Sequence, residues 1–213
     1  MITLTTYKWV PDFAQPLMRA FRVRWALEEA SLPYEVRTIA HDKRMEPDHL
    51  GRQPFGQCPA IEDNGLVLHE SGAIALYIAE KSETLLPKDR VGRARATAWA
   101  FSALNSVETW VQQLASIDFF HAKEAWTKEH RPQIEALVRN RLAQLAGALG
   151  DKDYLEGRFT VGDLMMADVL RILDHTNILD DFPTLKAYKA RCEARPAFQR
   201  AFNAQMEGFN QAA

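Results

Sequence analysis

Cysteine is scarce in this chain, because only Cys58 and Cys192 occur among its 213 residues. Two distant cysteines make a poor disulfide framework, which favours a reducing, cytoplasmic setting. Long apolar runs are also missing, since the longest stretch without Asp, Glu, Lys or Arg lies between Arg95 and Glu108. That stretch is shorter than the roughly 20 residues that span a bilayer, so no membrane helix is expected. The N-terminus lacks a basic region followed by an apolar stretch, so no signal peptide is expected.

An excess of positive charge is absent as well. The formal net charge is −2, whereas a dedicated nucleic-acid binder usually carries a clear basic excess. Hydrophobic residues make up 47% of the chain and charged residues 25%, which excludes a disordered protein. A chain of this length buries roughly 70% of its extended surface on folding and needs no cross-links. We therefore expect a globular protein that binds neither nucleic acid nor membrane.

The first part of the chain changes its apolar period several times. Residues 2–7 and 34–39 have strand patterns, and residues 17–30 have helical spacing, which together predict a parallel strand–helix–strand unit. Asn64-Gly65 lies between two short apolar runs and predicts a hairpin. Residues 71–81 predict the helix that follows. The expected order is strand, helix, strand, short helix, strand, strand, helix.

From Pro87 onward the apolar spacing is helical and no strand pattern interrupts it. Thr160 and Asp163 have the spacing of a capping box, which is a folding device and not a binding site. Pro87 and a charged cluster form a short linker between the two patterns. We therefore predict an α/β domain over residues 1–84 and an all-helical domain over residues 90–213.

Four short motifs follow one another in an order that resembles the cytosolic glutathione transferase (glutathione S-transferase) family. They are residues 53–61 (QPFGQCPAI), 70–74 (ESGAI), 159–163 (FTVGD) and 195–198 (RPAF). Each motif alone is weak evidence for the family. Together, and in this order, the four motifs span nearly the whole chain. The resemblance implies a thioredoxin-like, glutathione-binding N-terminal domain. It also implies a C-terminal helical bundle that lines the acceptor-substrate pocket, and a homodimer.

Glu70 and Ser71 stand where the helix of residues 71–81 begins. A helix N-terminus carries about half a positive charge and free N–H groups, so it can hold a carboxylate. From the residues alone, a helix cap at Ser71 and a complement to the helix dipole at Glu70 are the favoured explanation, because capping is common. The resemblance favours the binding interpretation, in which Ser71 holds the γ-glutamyl carboxylate of glutathione and Glu70 accepts from its ammonium group.

Cys58-Pro59 precedes the third strand. The family has a cis proline here, which implies that the backbone of Cys58 pairs with the cysteinyl part of glutathione in strand fashion. Cys58 itself is interpreted as a small buried hydrophobe, because no second cysteine lies at the spacing of a redox pair. Gln57 is a candidate for the glycyl end of glutathione, and so are His41 and Lys43, although solvated loop charges explain these two equally well.

In this family the residue that activates the glutathione sulfur is a Tyr, Ser or Cys near the end of the first strand or the start of the first helix. No Ser or Cys occurs between Lys8 and Ala30, which disfavours thiol–disulfide chemistry. Tyr7 is the nearest hydroxyl aromatic, yet the family often has a purely structural aromatic there. Arg19, or backbone N–H groups of the first loop shaped by Trp9, are the alternatives.

The resemblance thus implies an enzyme that conjugates glutathione, as co-substrate, to a hydrophobic electrophile without a metal. A non-catalytic binding or scaffold protein with the same fold is the alternative, and the missing Ser or Cys supports it. An isomerase or peroxidase that uses glutathione has the same site and is not separated from a transferase by the sequence.

Overall fold

A computed structural model describes residues 1–211 of the chain. The chain forms two compact units. The first contains Met1–Lys88 together with the segment from Ala194 onward, and the second is Asp89–Glu193. The helices are α1 Ala20–Glu29, α2 Pro47–Leu50, α3 Ser71–Ala79, α4 Arg90–Ser102, α5 Thr109–Ser116, α6 Thr127–Leu149, α7 Val161–Arg171, α8 Pro183–Glu193 and α9 Pro196–Asn210.

A four-stranded mixed sheet forms the centre of the first unit. Its strands are β1 Ile2–Tyr7, β2 Tyr34–Ile39, β3 Ala60–Asp63 and β4 Leu66–His69. The sheet order is β2-β1-β3-β4, with β2 parallel to β1 and β3 antiparallel to both β1 and β4. The predicted order of strands and helices, and the thioredoxin-like fold class, are confirmed.

The hairpin between β3 and β4 forms for a local reason. Asn64 and Gly65 have φ values of 48° and 87°, the left-handed region that a two-residue hairpin turn of the common primed type requires at both positions. Asn and Gly are the residues that enter this region most readily. The sequence therefore determines the turn, and the turn sets the register in which Ala60 faces His69.

The last helix packs onto the first one. The ring of Phe198 in α9 meets Phe21 and Trp25 of α1 edge-on, with centroid distances of 5.1 and 5.0 Å. Arg195 donates two hydrogen bonds of 2.6 and 2.7 Å to the carboxylate of Glu29. This segment, which the sequence analysis places in the helical domain, therefore clusters with the first unit, because its apolar face covers α1.

The second unit is all-helical, and α7 is buried along its whole length. The predicted capping box is present: Thr160 Oγ1 accepts from the N–H of Gly162 at 3.2 Å, and Asp163 accepts from the N–H of Thr160 at 2.9 Å. Gly162 lets α4 lie close to the start of α7, since a Cβ added at Gly162 would lie 2.5 Å from the Cβ of Trp99. Two π-helical segments, Ala103–Glu108 and Ile117–His121, flank α5 and were not predicted.

Candidate functional site

The strand register brings several of the predicted site residues to one end of the sheet. Thr5 pairs with Ala60, and Ala60 pairs with His69. Tyr7 is the last residue of β1. Cys58-Pro59 directly precedes β3, and Glu70 directly follows β4. Residues that are far apart in sequence therefore meet at the carboxyl end of β1, where α3 also begins.

Ser71 is the first residue of α3 and is 5% exposed. Its Oγ accepts a hydrogen bond of 3.4 Å from Nη1 of Arg22, a fully buried residue of α1. Because the oxygen accepts from Arg22, the hydroxyl hydrogen remains available to donate. The guanidinium also adds a full positive charge to the partial positive charge of the helix N-terminus. This arrangement suits a carboxylate at the start of α3.

Glu70 lies beside this position and is exposed to solvent. Its φ is +69°, a region that residues other than glycine rarely occupy. Such a conformation costs on the order of 1 to 3 kcal/mol and is found most often at functional sites. The conformation places an acidic side chain next to the N-terminus of α3. The two positions together therefore present one negative and one partially positive region.

The peptide bond between Cys58 and Pro59 is cis, as the resemblance implies. Cys58 is 8% exposed, and burial raises the pKa of its thiol to about 12. The thiol therefore stays protonated near neutral pH and does not provide a reactive thiolate. The interpretation of Cys58 as a small buried residue agrees with this environment.

The loop that presents Cys58 is held by two buried polar side chains, Gln53 and His49. Oε1 of Gln53 accepts from the backbone N–H groups of Phe55 and Gln57 at 2.7 and 3.1 Å. Nε2 of His49 lies 2.8 Å from the carbonyl oxygen of Gln57. The backbone of Gln57 is thus fixed at both its N–H and its C=O, while its side chain is exposed.

The hydroxyl of Tyr7 donates to the carbonyl oxygen of Gly56 at 3.2 Å. Its ring lies against His41, with a centroid distance of 5.4 Å. Burial, and then the charge that Cys58 would carry, raise the pKa of Tyr7, so the hydroxyl keeps its proton and acts as a donor. Gly56 has a φ of +64°, and an added Cβ would lie 2.5 Å from the sulfur of Met45. Tyr7 is therefore part of the scaffold of the loop before Cys58 as well as a candidate donor to a ligand.

The first loop, between β1 and α1, is fastened by two glutamines that sequence reasoning missed. Nε2 of the buried Gln15 donates to the carbonyl oxygen of Val10 at 3.2 Å and to Asp12 at 3.1 Å. Nε2 of Gln205, from α9, donates to the carbonyl oxygen of Gln15 at 2.7 Å. Arg19 lies exposed just before α1. No local pattern in the sequence indicates the contact between α9 and this loop, because the two residues are 190 positions apart.

The other candidates for the glycyl end lie on the short helical segment His41–Met45. Lys43 donates to Glu46 at 2.6 Å, and Arg44 donates to the carbonyl oxygen of His41 at 3.0 Å. Both Lys43 and His41 are exposed. Within residues 1–211, no group of three or more His, Cys, Asp or Glu side chains is arranged to hold a metal ion. None of the helices described is long and apolar enough to cross a membrane.

Comparison with known proteins agrees with this geometry. The profile of the glutathione S-transferase N-terminal domain matches residues 3–80, and that of the C-terminal domain matches residues 95–196. The chain is 30% identical over 189 residues to glutathione S-transferase 1 of Zea mays, covering 84% of this chain and 88% of the relative. It is 31% identical over 198 residues to glutathione S-transferase F11 of Arabidopsis thaliana, covering 84% of this chain and 90% of the relative.

Solved structures give the same result. A glutathione transferase from Burkholderia graminis, with two glutathione molecules bound per subunit, superposes with a TM-score of 0.83 at 26% identity over 95% of this chain and 88% of that one. A glutathione transferase family member from Pseudomonas fluorescens, with two glutathione bound, superposes with a TM-score of 0.80 at 27% identity, over 94% of this chain and 92% of that one. From its two domain profiles, its relatives and its fold, the chain belongs to the glutathione S-transferase family.

Proposed function

We propose that this protein is a glutathione transferase, which ionises the thiol of glutathione and joins the sulfur to an electrophilic small molecule. The observation that carries the proposal is the arrangement at the end of the sheet: the Arg22-supported Ser71 at a helix N-terminus, the acidic Glu70 beside it, and the Cys58 backbone nearby. Relatives of the same fold from Burkholderia graminis and Pseudomonas fluorescens bind glutathione.

Each part of glutathione has a proposed partner in this arrangement. The γ-glutamyl carboxylate accepts from Ser71 and the first N–H groups of α3, and the neighbouring ammonium donates to Glu70. The cysteinyl part pairs with the backbone of Cys58 before Pro59. The exposed side chain of Gln57, with His41 or Lys43, binds the glycyl carboxylate. This assignment leaves the sulfur facing the end of β1 and the first loop.

The chemical step needs a thiolate at neutral pH. The thiol loses its proton to solvent, the sulfur forms a bond to the electrophilic carbon, and the leaving group departs with its electron pair. The protein contributes by holding the two reactants together and by stabilising the thiolate with a positioned donor. Exposed apolar side chains of the first loop, Trp9 and Phe13, suit a hydrophobic acceptor.

Two side chains are candidates for the donor to the sulfur, and one experiment separates them. If the Tyr7 hydroxyl donates to the thiolate, Tyr7→Phe raises the pKa of the bound thiol toward its free value of roughly 8.5. Turnover at neutral pH then falls about tenfold or more, while the affinity for glutathione changes little. The thiolate absorbance of bound glutathione, titrated between about pH 6 and 9, measures this pKa.

Arg19→Ala is the matched test of the other candidate, because a guanidinium near the sulfur also favours the charged form. A pKa that changes in neither variant leaves the backbone N–H groups of the first loop as the donor. A loss of affinity in Tyr7→Phe without a change in the thiol pKa would show that the bond to Gly56 only positions the loop.

A non-catalytic binding or scaffold protein is the second candidate. It is favoured by the absence of Ser and Cys from the first loop and by the engagement of the Tyr7 hydroxyl with Gly56. Glutathione that binds to the unmodified protein with an unshifted thiol pKa, and with no conjugation of a general electrophile, would establish it. A lowered thiol pKa with activity toward hydroperoxides or isomerisable substrates alone would instead point to a peroxidase or isomerase.

We also propose a homodimer that works in the reducing cytoplasm, where two buried cysteines that are not joined by a disulfide bond are stable. Phe55 is 67% exposed, and Leu66 and Val67 on the edge strand β4 are 39% and 46% exposed. Such exposed apolar residues are typical of a protein–protein contact. Light scattering is expected to give twice the chain mass for the unmodified protein and a shift toward the monomer for Phe55→Ser. A monomeric parent protein would contradict the proposal.

A further inference from the structure

The peptide group between Gln57 and Cys58 connects a buried side chain to the proposed glutathione site. Its C=O belongs to Gln57 and lies 2.8 Å from Nε2 of His49. Its N–H belongs to Cys58, whose backbone we assign to the cysteinyl part of glutathione. The cis bond follows Cys58, so this preceding peptide group is trans. In a trans peptide group the C=O and the N–H lie in one plane and point in opposite directions, so a side chain that holds the C=O also aims the N–H.

His49 holds that C=O from a well-fixed position. It belongs to α2 and is buried. Its own carbonyl oxygen accepts from the backbone N–H groups of Arg52 and Gln53, each at 2.9 Å, which closes the end of α2 onto the loop that follows. A carbonyl oxygen only accepts, so Nε2 of the ring carries the hydrogen and donates it to Gln57. The side chain therefore joins α2 to the residue before Cys58.

The other ring nitrogen shows that packing alone does not explain this histidine. Nδ1 is buried and has no hydrogen-bond partner within residues 1–211. A buried polar atom without a partner costs free energy, and such atoms are uncommon in folded proteins. A phenylalanine would fill a similar volume without that cost. What the histidine adds to a phenylalanine is the N–H that holds Gln57.

The N–H at the other end of this peptide group is the donor that the ligand needs. Among residues 1–211 it donates to no other group. We propose that His49 is a positioning residue of the glutathione site: by holding the C=O of Gln57, it aims the N–H of Cys58 at the cysteinyl carbonyl oxygen of the ligand. The inference rests on the binding of glutathione in the proposed function, and it is independent of whether the protein conjugates glutathione.

Three ligands isolate this hydrogen bond in calorimetric titrations. Glutathione contains the cysteinyl carbonyl and glycine, γ-glutamylcysteine keeps the carbonyl group but lacks glycine, and γ-glutamylcysteamine lacks both. His49→Phe keeps a ring in the buried position but removes the N–H. It should weaken the binding of glutathione and of γ-glutamylcysteine by about three- to tenfold, which corresponds to one hydrogen bond. The affinity for γ-glutamylcysteamine should be unchanged, because this ligand offers the N–H of Cys58 no acceptor.

A second pair of variants keeps the test decisive if His49→Phe does not fold. His49→Gln retains an N–H at about the reach of Nε2 and should bind all three ligands nearly as well as the parent. His49→Asn is polar but too short to reach Gln57, so it should show the same selective loss as His49→Phe. His130→Phe, which replaces an exposed histidine of the second unit, is the matched control and should change no affinity.

The pattern across the ligands decides the outcome. An equal loss for all three ligands would overturn the proposal, because His49 would then only support the loop. A loss for glutathione alone would also overturn it, since the effect would then pass through the glycyl end. Unchanged affinities in both His49→Phe and His49→Asn would overturn it as well. An unmodified protein that binds none of the three ligands would instead overturn the proposed function, and this inference with it.

Discussion

Ser71→Ala is expected to weaken glutathione binding more than tenfold. The substitution removes the hydroxyl that we propose as a donor to the γ-glutamyl carboxylate, and a hydrogen bond to a charged group is worth about 1.5 to 3 kcal/mol. It also leaves the Arg22 guanidinium without the oxygen that accepts from it at 3.4 Å. Titration calorimetry at constant ionic strength measures the change, since salt screens charges at a helix terminus.

Glu70→Gln tests the other half of the same site. It keeps the size of the side chain but removes the charge that we propose as the partner of the ligand ammonium, so affinity should again fall about tenfold. Glu80→Gln removes an equal charge just beyond the opposite end of α3 and is the matched control. Normal affinity in both Ser71→Ala and Glu70→Gln would contradict the γ-glutamyl assignment, whatever the outcome for the sulfur.

The conformation of Glu70 adds a second readout. A φ of +69° is more easily adopted by glycine, so Glu70→Gly should relieve backbone strain while it removes the carboxylate. A variant that is no less stable than the parent and yet binds glutathione weakly would separate function from stability at this position. The strain is then explained by what the residue binds and not by what it contributes to folding.

The sequence predicted those features that depend on a few neighbouring residues. The Asn64-Gly65 turn, the capping box at Thr160 and the strand β1 each follow from local chemistry, and the structure contains all three. A parallel strand–helix–strand unit and a hairpin leave few ways to form one sheet. The sequence predicted the order of these elements along the chain, and the structure adds the order of the strands within the sheet.

Contacts between distant segments could not be predicted. The support that Arg22 gives to Ser71 depends on how α1 packs beside α3, and the bond from Gln205 to Gln15 depends on where α9 lies. A buried arginine on an otherwise apolar helix has the same sequence pattern whether it supports a site, lines a cavity or forms an ion pair. Arg22 and Arg24 show this, because both are buried on α1 but have different surroundings.

The largest stability effect is expected from Asp163, which is fully buried in the second unit. One of its oxygens accepts from the N–H of Leu155 at 2.9 Å and from the hydroxyl of Tyr188 at 3.0 Å. The other accepts from the N–H and the hydroxyl of Thr160 at 2.9 and 3.1 Å. The carboxylate thus satisfies four donors and ties the start of α7 to the preceding loop and to α8.

Asp163→Asn has the same shape but cannot replace the carboxylate, because its NH₂ group must face donors on one side or the other. At least two donors then lose their acceptor, at about 1 to 3 kcal/mol each. We expect the free energy of unfolding to fall by roughly 3 kcal/mol or more. Thr160→Ala, which removes only the cap hydroxyl, should cost about 1 kcal/mol. Urea unfolding of the three proteins measures both values.

The pH dependence of stability gives an independent check on Asp163. Burial raises the pKa of Asp163 above its ordinary value of 3.8, and the hydrogen bonds from Leu155 and Thr160 oppose that rise. A group whose pKa is higher in the folded state stabilises the protein below its unfolded pKa, and this contribution is lost as the pH rises through the folded pKa. Asp163→Asn removes the group, so its unfolding free energy should fall less than the parent's as the pH rises from 3.8. Equal slopes would show that folding does not raise the pKa of Asp163. A loss of stability no larger than that of Thr160→Ala would show that the four donors find other acceptors. Glutathione affinity should be unchanged in either variant, because the proposed glutathione site lies in the first unit.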